Sequence, residues 1–276
     1  MKQKKVILTV VVTALVLLIA GSGGYLLFKS INTRQSGEKY DELASKAARA
    51  SDETVSSGNA SAPFTGETAE TGASGEPLTP NPYDFAYLTS QNPDIYAWIE
   101  IPNTNVNYPV LQSDHNDNFY IDHDFEKAYS YPGAIYSQFC NKKDFSDRVT
   151  VLYGHNMKDG SMFATLHNFE DSGFFEANSG FSVHTADKRL DYEIVAAFDY
   201  DDRHIMNSFD FSDDKVYSDF LQSVQSPHAV NGNVRQGVTL GTEDKLLILS
   251  TCRNFGEGRY LVVGRLKSET PLAPTS

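Results

Sequence analysis

The chain has little positive charge, and this shortage limits the partners it can bind. Its 276 residues contain 23 Lys and Arg against 36 Asp and Glu, for a formal net charge of −13. Proteins bind phosphate backbones through clustered basic side chains, so we expect no nucleic acid partner. We interpret the acidity as a contribution to solubility.

Motifs for common metals and nucleotides are also missing. The sequence has no Cys-x-x-Cys pair, no His-Glu-x-x-His segment and no glycine-rich phosphate loop after a strand. Acidic stretches at 114–118 and 199–202 lack the full spacing of a calcium loop, and we interpret them as solvated loops. We therefore expect no metal and no cofactor.

Cysteine is scarce, because only Cys140 and Cys252 occur. A secreted protein of this size could join the two in one disulfide. Alternatively, one of them is a reactive thiol. Composition alone favours neither interpretation.

One long apolar run lies at the N-terminus. Lys2, Lys4 and Lys5 precede an uncharged stretch over 6–28. As a helix it would span roughly 34 Å, enough for a hydrocarbon core of about 30 Å. We predict a cytoplasmic segment at 1–5, a single signal-anchor span at 6–28 and an extracytoplasmic remainder at the cell membrane. The alternative is a cleaved signal peptide, but the run is long and has a poor cleavage site.

Composition divides the rest of the chain. Residues 29–80 are predicted to be an extracytoplasmic flexible linker, with helix-forming residues at 38–50 and a Ser-, Gly- and Thr-rich spacer at 51–80. A globular domain is predicted over 81–267, followed by a disordered tail over 268–276.

Short strands dominate the globular part. Helical pieces are predicted at 83–90 and 93–98, and strands at 99–101, 106–110, 134–136, 149–153, 192–198, 245–250 and 260–266. One amphipathic helix, capped by Ser212, places Val216, Phe220 and Val224 on one face. This pattern predicts a mainly β fold, a closed or nearly closed barrel with helical insertions.

Cys252 and Arg259 stand where reactive groups are expected. An apolar strand runs directly into Cys252, and the next strand opens with Arg259. A hairpin would bring them together, where a guanidinium favours the thiolate and can stabilise an oxyanion. The alternative is that Cys252 is a small buried residue at a strand end.

His155 follows another apolar strand, with Gly154 before it to permit a sharp turn. Such a position presents an imidazole to a cleft. Cysteine plus histidine is the minimal pair for nucleophilic acyl transfer. The six remaining histidines stand in polar or loop-like contexts: His115, His123, His167, His184, His204 and His228.

Four separated motifs resemble the sortase family, in particular its class B. Leu-Ile-Leu-Ser-Thr-Cys at 247–252 resembles the Thr-Leu-Ser-Thr-Cys nucleophile signature, and 259–266 resembles the strand with the family's arginine. Residues 151–157 with 160–163 resemble the histidine region, and 98–112 the first barrel strands. The resemblance covers about 81–267. It implies an eight-stranded β-barrel with an N-terminal helical extension and a helix inserted before the catalytic-cysteine strand.

The resemblance also implies an activity. Sortases cleave a C-terminal sorting signal, LPXTG-like or NPQTN-like, after its threonine, form a thioacyl-enzyme, and transfer the secreted protein to a peptidoglycan amine. By position, Cys252 is expected to be the nucleophile, His155 the general acid and then base, and Arg259 the oxyanion-stabilising residue. Residues expected to bind substrate are Ser250, Thr251, Tyr153 and Asn156.

Two features depart from class B. The loop from Cys252 to Arg259 is about one residue shorter than the family pattern, and Cys140 replaces another residue type, so we expect it to be a free structural thiol. Two alternatives stay open: a pilin-polymerising sortase, in which a lysine resolves the intermediate, and a catalytically inactive, membrane-tethered binding domain.

Overall fold

A computed structural model of the chain describes residues 2–56, 78–229, 231–254 and 257–273; the side chains of residues 2–16, 20 and 49–56 are outside this description. The strands are β1 (Thr79–Pro80), β2 (Ile95–Glu100), β3 (Asn107–Leu111), β4 (Ile135–Tyr136), β5 (Val149–Tyr153), β6 (Gly180–His184), β7 (Lys188–Tyr200), β8 (Gly232–Val234), β9 (Leu246–Cys252) and β10 (Arg259–Ala273). The helices are α1 (Lys2–Ser56), α2 (Phe85–Gln91), α3 (Ser172–Ala177), α4 (Ile205–Ser208) and α5 (Asp214–Gln225), with 3₁₀ helices at Phe119–Ile121 and Ala164–Glu170.

Eight strands form a closed ring in the order β10-β9-β5-β4-β3-β2-β6-β7, because β7 pairs back onto β10. Strand β1 adds to β10, and β8 adds to β7. Most neighbours in the ring are antiparallel, whereas β5 with β9 and β3 with β4 run parallel. The predicted eight-stranded barrel is therefore confirmed.

The first four residues of β9, 246–249, are all apolar because the strand separates two cores. Leu247 and Leu249 face the barrel interior, and Leu246 and Ile248 belong to a second core outside it. A strand buried on both faces has a continuous hydrophobic run rather than an alternating one. Helix α5 covers this second core with Tyr217, Phe220, Leu221 and Val224. It is the helix predicted to precede the cysteine strand, although its N-cap is Asp213, not Ser212.

Two local predictions were wrong. Residues 93–98 were predicted to be helical, but β2 covers most of them because it hydrogen-bonds to β3 on one side and β6 on the other. The tail predicted from 268 onward continues β10 as far as Ala273, paired with β7. In both places, strand pairing across the barrel outweighs the local sequence preference. Residues 274–276 lie outside the described part.

The segment 29–48 is not a flexible linker, because it is the part of α1 that packs on the barrel. Ser36, Tyr40, Leu43 and Ala47 are buried, and their spacing places them on one face of the helix. The hydroxyl of Tyr40 donates a hydrogen bond to the carbonyl oxygen of Gly133 at 2.9 Å. The rest of the predicted spacer, 57–77, lies outside the described residues.

The predicted membrane span at 6–28 is not supported by the structure. Within the described part of the chain, no helix is both long and apolar enough to cross a membrane. Most side chains of the range 6–28 fall outside that description.

Tyr40→Ala is expected to lower the free energy of unfolding by about 3–5 kcal/mol, the range for removing a large buried ring. Tyr40 is 3% exposed and packs edge-on against Tyr108 at 5.4 Å. Thermal or urea unfolding measures the change. Tyr25→Ala is the control on the same helix, because Tyr25 is 60% exposed. Equal stability of the two variants would contradict the packing of α1.

His184 is expected to make the fold labile to acid. It is 5% exposed, and burial, assisted by Arg189, lowers its pKa from 6.5 to about 4. Below pH 6.5 the unfolded chain binds a proton that the folded chain binds only near pH 4. Stability is therefore lost as the pH falls through this window, by about 3 kcal/mol.

Urea unfolding at pH 7 and pH 4.5 tests this expectation. His184→Phe keeps a ring against Tyr83 but removes the titrating group, so its loss of stability between the two pH values should be smaller. An unchanged pH dependence in this variant would contradict the assignment.

Candidate active site

Strand pairing brings the three predicted catalytic side chains to one edge of the barrel. In the parallel pair β5–β9, Tyr153 lies opposite Ser250, so His155 and Cys252 both stand two residues further along. The amide of Gly154 donates to the carbonyl of Ser250 at 3.2 Å and ends the ladder. On the other side of β9, Arg259 lies opposite Cys252 in the antiparallel pair with β10.

Cys252 and Arg259 are in direct contact. The Nη1 atom of Arg259 donates to Sγ of Cys252 at 3.1 Å. A guanidinium at this distance favours the thiolate. Residues 255–256 of the short connecting loop lie outside the described residues, but the loop's ends meet at this contact. The interpretation of Cys252 as a buried apolar residue is wrong, because it is exposed.

Both cysteines are free, so they do not form a disulfide. Their surroundings differ. Desolvation, with the nearby Asp117 carboxylate, raises the pKa of the Cys140 thiol. Cys140 therefore lies in a setting that favours the thiol, whereas Cys252 has a guanidinium beside it.

His155 is oriented by the backbone. Its Nε2 lies 2.7 Å from the carbonyl oxygen of Ile121. A carbonyl only accepts, so we assign the proton to Nε2, and Nδ1 is the basic nitrogen. The ring of Tyr131 lies parallel to the imidazole at 6.4 Å. Gly154 is required beside it, because a Cβ there would stand 2.5 Å from Cδ1 of Ile135.

Cys252 lies between two open spaces. On one side, a cleft of about 90 Å³ is lined by His155, Cys252 and Arg259. A further space of about 50 Å³ shares Arg259 and extends toward α4. On the other side, a groove of about 520 Å³ runs between the segment 156–168 and the residues after Cys252. The largest cavity described, about 650 Å³ between β7, α4 and α5, contains none of the three.

The four residues predicted to bind substrate separate into three positions. Tyr153 and Ser250 line both parts of the cleft. Thr251 is 1% exposed and lines neither part, because successive strand residues face opposite sides. Asn156 lines the groove on the far side of Cys252. Its amide donates to the carbonyl of Cys252 at 3.2 Å.

Sequence reasoning missed several contributors to the site. The Ile121 contact uses a backbone carbonyl, which leaves no signal in residue type. His167 was assigned to a loop-like context, yet its Nε2 lies 2.9 Å from the carbonyl oxygen of Cys252. The His-x-x-Glu spacing of His167 and Glu170 was the available signal, because residues three apart meet on one side of a helical turn.

The acidic stretches have partners of their own, and the prediction of a solvated loop at 199–202 was wrong in part, because Asp199 and Tyr200 belong to β7. Asp114 pairs with Lys143 at 3.1 Å, and Asp199 with Arg253 at 2.9 Å. These carboxylates neutralise side chains of the chain itself.

A closed barrel that holds a thiol, an imidazole and a guanidinium at one edge defines a class, the barrel-fold cysteine acyltransferases. Residues 99–267 match the family model described as Sortase domain. The chain therefore belongs to the sortase family, and it is a cysteine transpeptidase of the cell-wall-sorting type.

The individual proteins to which this chain is similar are class B sortases. Sortase B of Listeria monocytogenes is 31% identical over 211 residues, covering 75% of this chain and 82% of that protein. Sortase B of Staphylococcus aureus is 29% identical over 170 residues, covering 62% and 68%. The X-ray structure of Clostridium perfringens sortase B has a TM-score of 0.60 at 31% identity and covers 66% of this chain and 99% of that one.

Proposed function

We propose that this transpeptidase cleaves a C-terminal sorting signal of secreted proteins after its threonine and transfers them to a peptidoglycan amine. The observation that carries the proposal is the convergence of Cys252, His155 and Arg259 on one cleft, with Arg259 donating to Sγ at 3.1 Å. The signal would be LPXTG-like or NPQTN-like, bound along the cleft that Tyr153 and Ser250 line.

In the first step, the Cys252 thiolate attacks the threonine carbonyl, and the carbonyl electron pair moves to oxygen. Arg259 stabilises this oxyanion, because its guanidinium already lies at the attacking sulfur. When the intermediate collapses, the C–N bond breaks and protonated His155 gives its proton to the leaving amine. Ile121 holds the Nε2 proton, so the exchange takes place at Nδ1.

In the second step, the roles reverse. His155 takes a proton from the incoming amine, which attacks the thioester carbonyl. The C–S bond then breaks and returns the Cys252 thiolate beside Arg259. One amide is exchanged for another, and the overall reaction needs no oxidant or reductant.

The test uses the full chain with fluorogenic peptides of both signal types, with and without triglycine as the amine. We expect cleavage after threonine, an acyl adduct in the intact mass, and a new peptide product when the amine is present. If no peptide of a broad panel is cleaved although Cys252 still reacts with an alkylating reagent, this would favour the alternative of a catalytically inactive binding domain. If a product forms only when the amine is a lysine whose α-amine is blocked and whose side-chain amine is free, this would favour pilin polymerisation.

Membrane attachment through residues 6–28 is a separate part of the proposal, and the sequence alone supports it. Cells expressing the full chain are fractionated beside cells expressing a chain without residues 2–28. The full chain is expected to stay with membranes after carbonate extraction and the shortened chain to leave them. The same distribution for both would contradict the anchor.

A further inference from the structure

On the side of β5, the carbonyl of Cys252 is bound by side chains rather than by a strand. Strand carbonyls alternate in direction, so the carbonyl of Cys252 faces the same side as that of Ser250. Ser250 accepts from Gly154 at the end of β5, and nothing of β5 lies beyond. His167 Nε2 at 2.9 Å and Asn156 Nδ2 at 3.2 Å bind the Cys252 carbonyl instead.

His167 is itself held on its other side. Its Nδ1 lies 2.5 Å from Oε1 of Glu170, its side chain is 8% exposed, and its ring stacks on Tyr260 at 4.8 Å. A carbonyl and a carboxylate both only accept, so each ring nitrogen faces an acceptor, and the two contacts fix the orientation of the ring. The amide nitrogen of Asn156 lies 3.1 Å from Nε2, and both nitrogens lie within hydrogen-bond distance of the one carbonyl of Cys252.

The same group of residues holds the loop that follows Cys252. Asn254 accepts from Nδ2 of Asn156 at 2.9 Å and donates to Glu170 at 3.5 Å. The network of Asn156, His167, Glu170 and Asn254 therefore spans the point at which β9 ends and the loop begins.

We propose that His167, oriented by Glu170, is a positioning residue that fixes the backbone of Cys252 and so keeps its Sγ at the guanidinium of Arg259. This inference rests on the proposed role of Cys252 as nucleophile. His167 lines the groove, but its ring nitrogens are engaged by Cys252 and Glu170, so it acts on the reaction through Cys252. A displacement of the nucleophile by about 1 Å costs on the order of 10²-fold in rate. Removal of the His167 side chain should therefore lower kcat and leave KM nearly unchanged.

The experiment compares His167→Ala, His167→Gln and Glu170→Gln in the full chain, with His115→Ala as an exposed control. His167→Ala is expected to lower kcat for signal-peptide cleavage by about 10- to 100-fold with KM within about twofold. His167→Gln restores an N–H donor to the Cys252 carbonyl and should recover most of the rate. Glu170→Gln, at an exposed position, should cause a smaller loss in kcat.

Alkylation by iodoacetamide gives a readout that needs no sorting signal. In a Cys140→Ser background, His167→Ala should slow the alkylation of Cys252 severalfold, because Sγ is no longer held at the guanidinium of Arg259, which favours the thiolate. His115→Ala should leave the alkylation rate unchanged. If the folded His167→Ala and Glu170→Gln variants keep wild-type kcat and the wild-type alkylation rate, the inference is overturned. If the wild type cleaves none of the peptides, this would count against the proposed function alone, because the alkylation rates still test the role of His167.

Discussion

Cys252→Ala is expected to abolish both peptide cleavage and transfer, whereas Cys140→Ser is expected to retain nearly full activity. Removing the nucleophile of a covalent catalyst costs on the order of 10⁶-fold in kcat, so the residual rate should fall to background. The two thiols are both exposed, but only Cys252 is contacted by Arg259. Desolvation and Asp117 instead raise the pKa of Cys140, which disfavours its thiolate.

Intact-mass spectrometry after incubation with a signal peptide distinguishes the two cysteines. The acyl adduct should form in the wild type and in Cys140→Ser, and should be absent from Cys252→Ala. Both replacements are small changes at exposed positions, so unfolding temperatures serve as the control for folding. An adduct that depends on Cys140 would overturn the assignment of the nucleophile.

Arg259→Ala is expected to lower kcat by about 10²- to 10³-fold, the usual cost of removing an oxyanion donor. Arg259→Lys should lie between this variant and the wild type. Lysine keeps a positive charge but not the planar fork of donors that reaches Sγ at 3.1 Å. Steady-state kinetics with a signal peptide gives kcat and KM separately, and the loss should fall mainly on kcat.

A second arginine of the barrel provides the control. Arg189 lies on β7, pairs with Asp191 at 2.7 Å, and is 48% exposed, so Arg189→Ala should leave kcat within about twofold. If Arg259→Ala kept more than a tenth of the wild-type kcat, the proposed oxyanion role would be wrong. A loss confined to KM would instead indicate that Arg259 only binds the substrate.

The sequence predicted the members of the candidate site better than their arrangement. Cys252, His155 and Arg259 each stand at the end or the start of a strand, and that position is visible locally. The β9–β10 hairpin that joins Arg259 to Cys252 could be predicted locally, but His155 reaches Cys252 through the parallel pairing of β5 with β9, which lie about a hundred positions apart. No local pattern encodes that pairing, and only the family resemblance supplied it.

The errors share one physical origin. The helical prediction at 93–98, the linker at 29–48 and the tail from 268 all came from local composition. Each segment takes its structure from a partner elsewhere: β2 from two neighbouring strands, α1 from the barrel surface, and the end of β10 from β7. His167 was missed for the same reason, because its partner is the main chain of Cys252.

Closure of the ring gives β10 a particular place in the order of folding. Strand β10 pairs with β9 along one edge and with β7 along the other, so no barrel can close before it arrives. Strands paired over long stretches of sequence form late, after the cost of closing the intervening loops. Because Arg259 follows Cys252 by only seven residues in the β9–β10 hairpin, the guanidinium meets the thiol early, whereas His155 arrives only when β5 pairs with β9. An incompletely folded chain would therefore lack the imidazole of the site, and the three side chains come together only when the barrel closes.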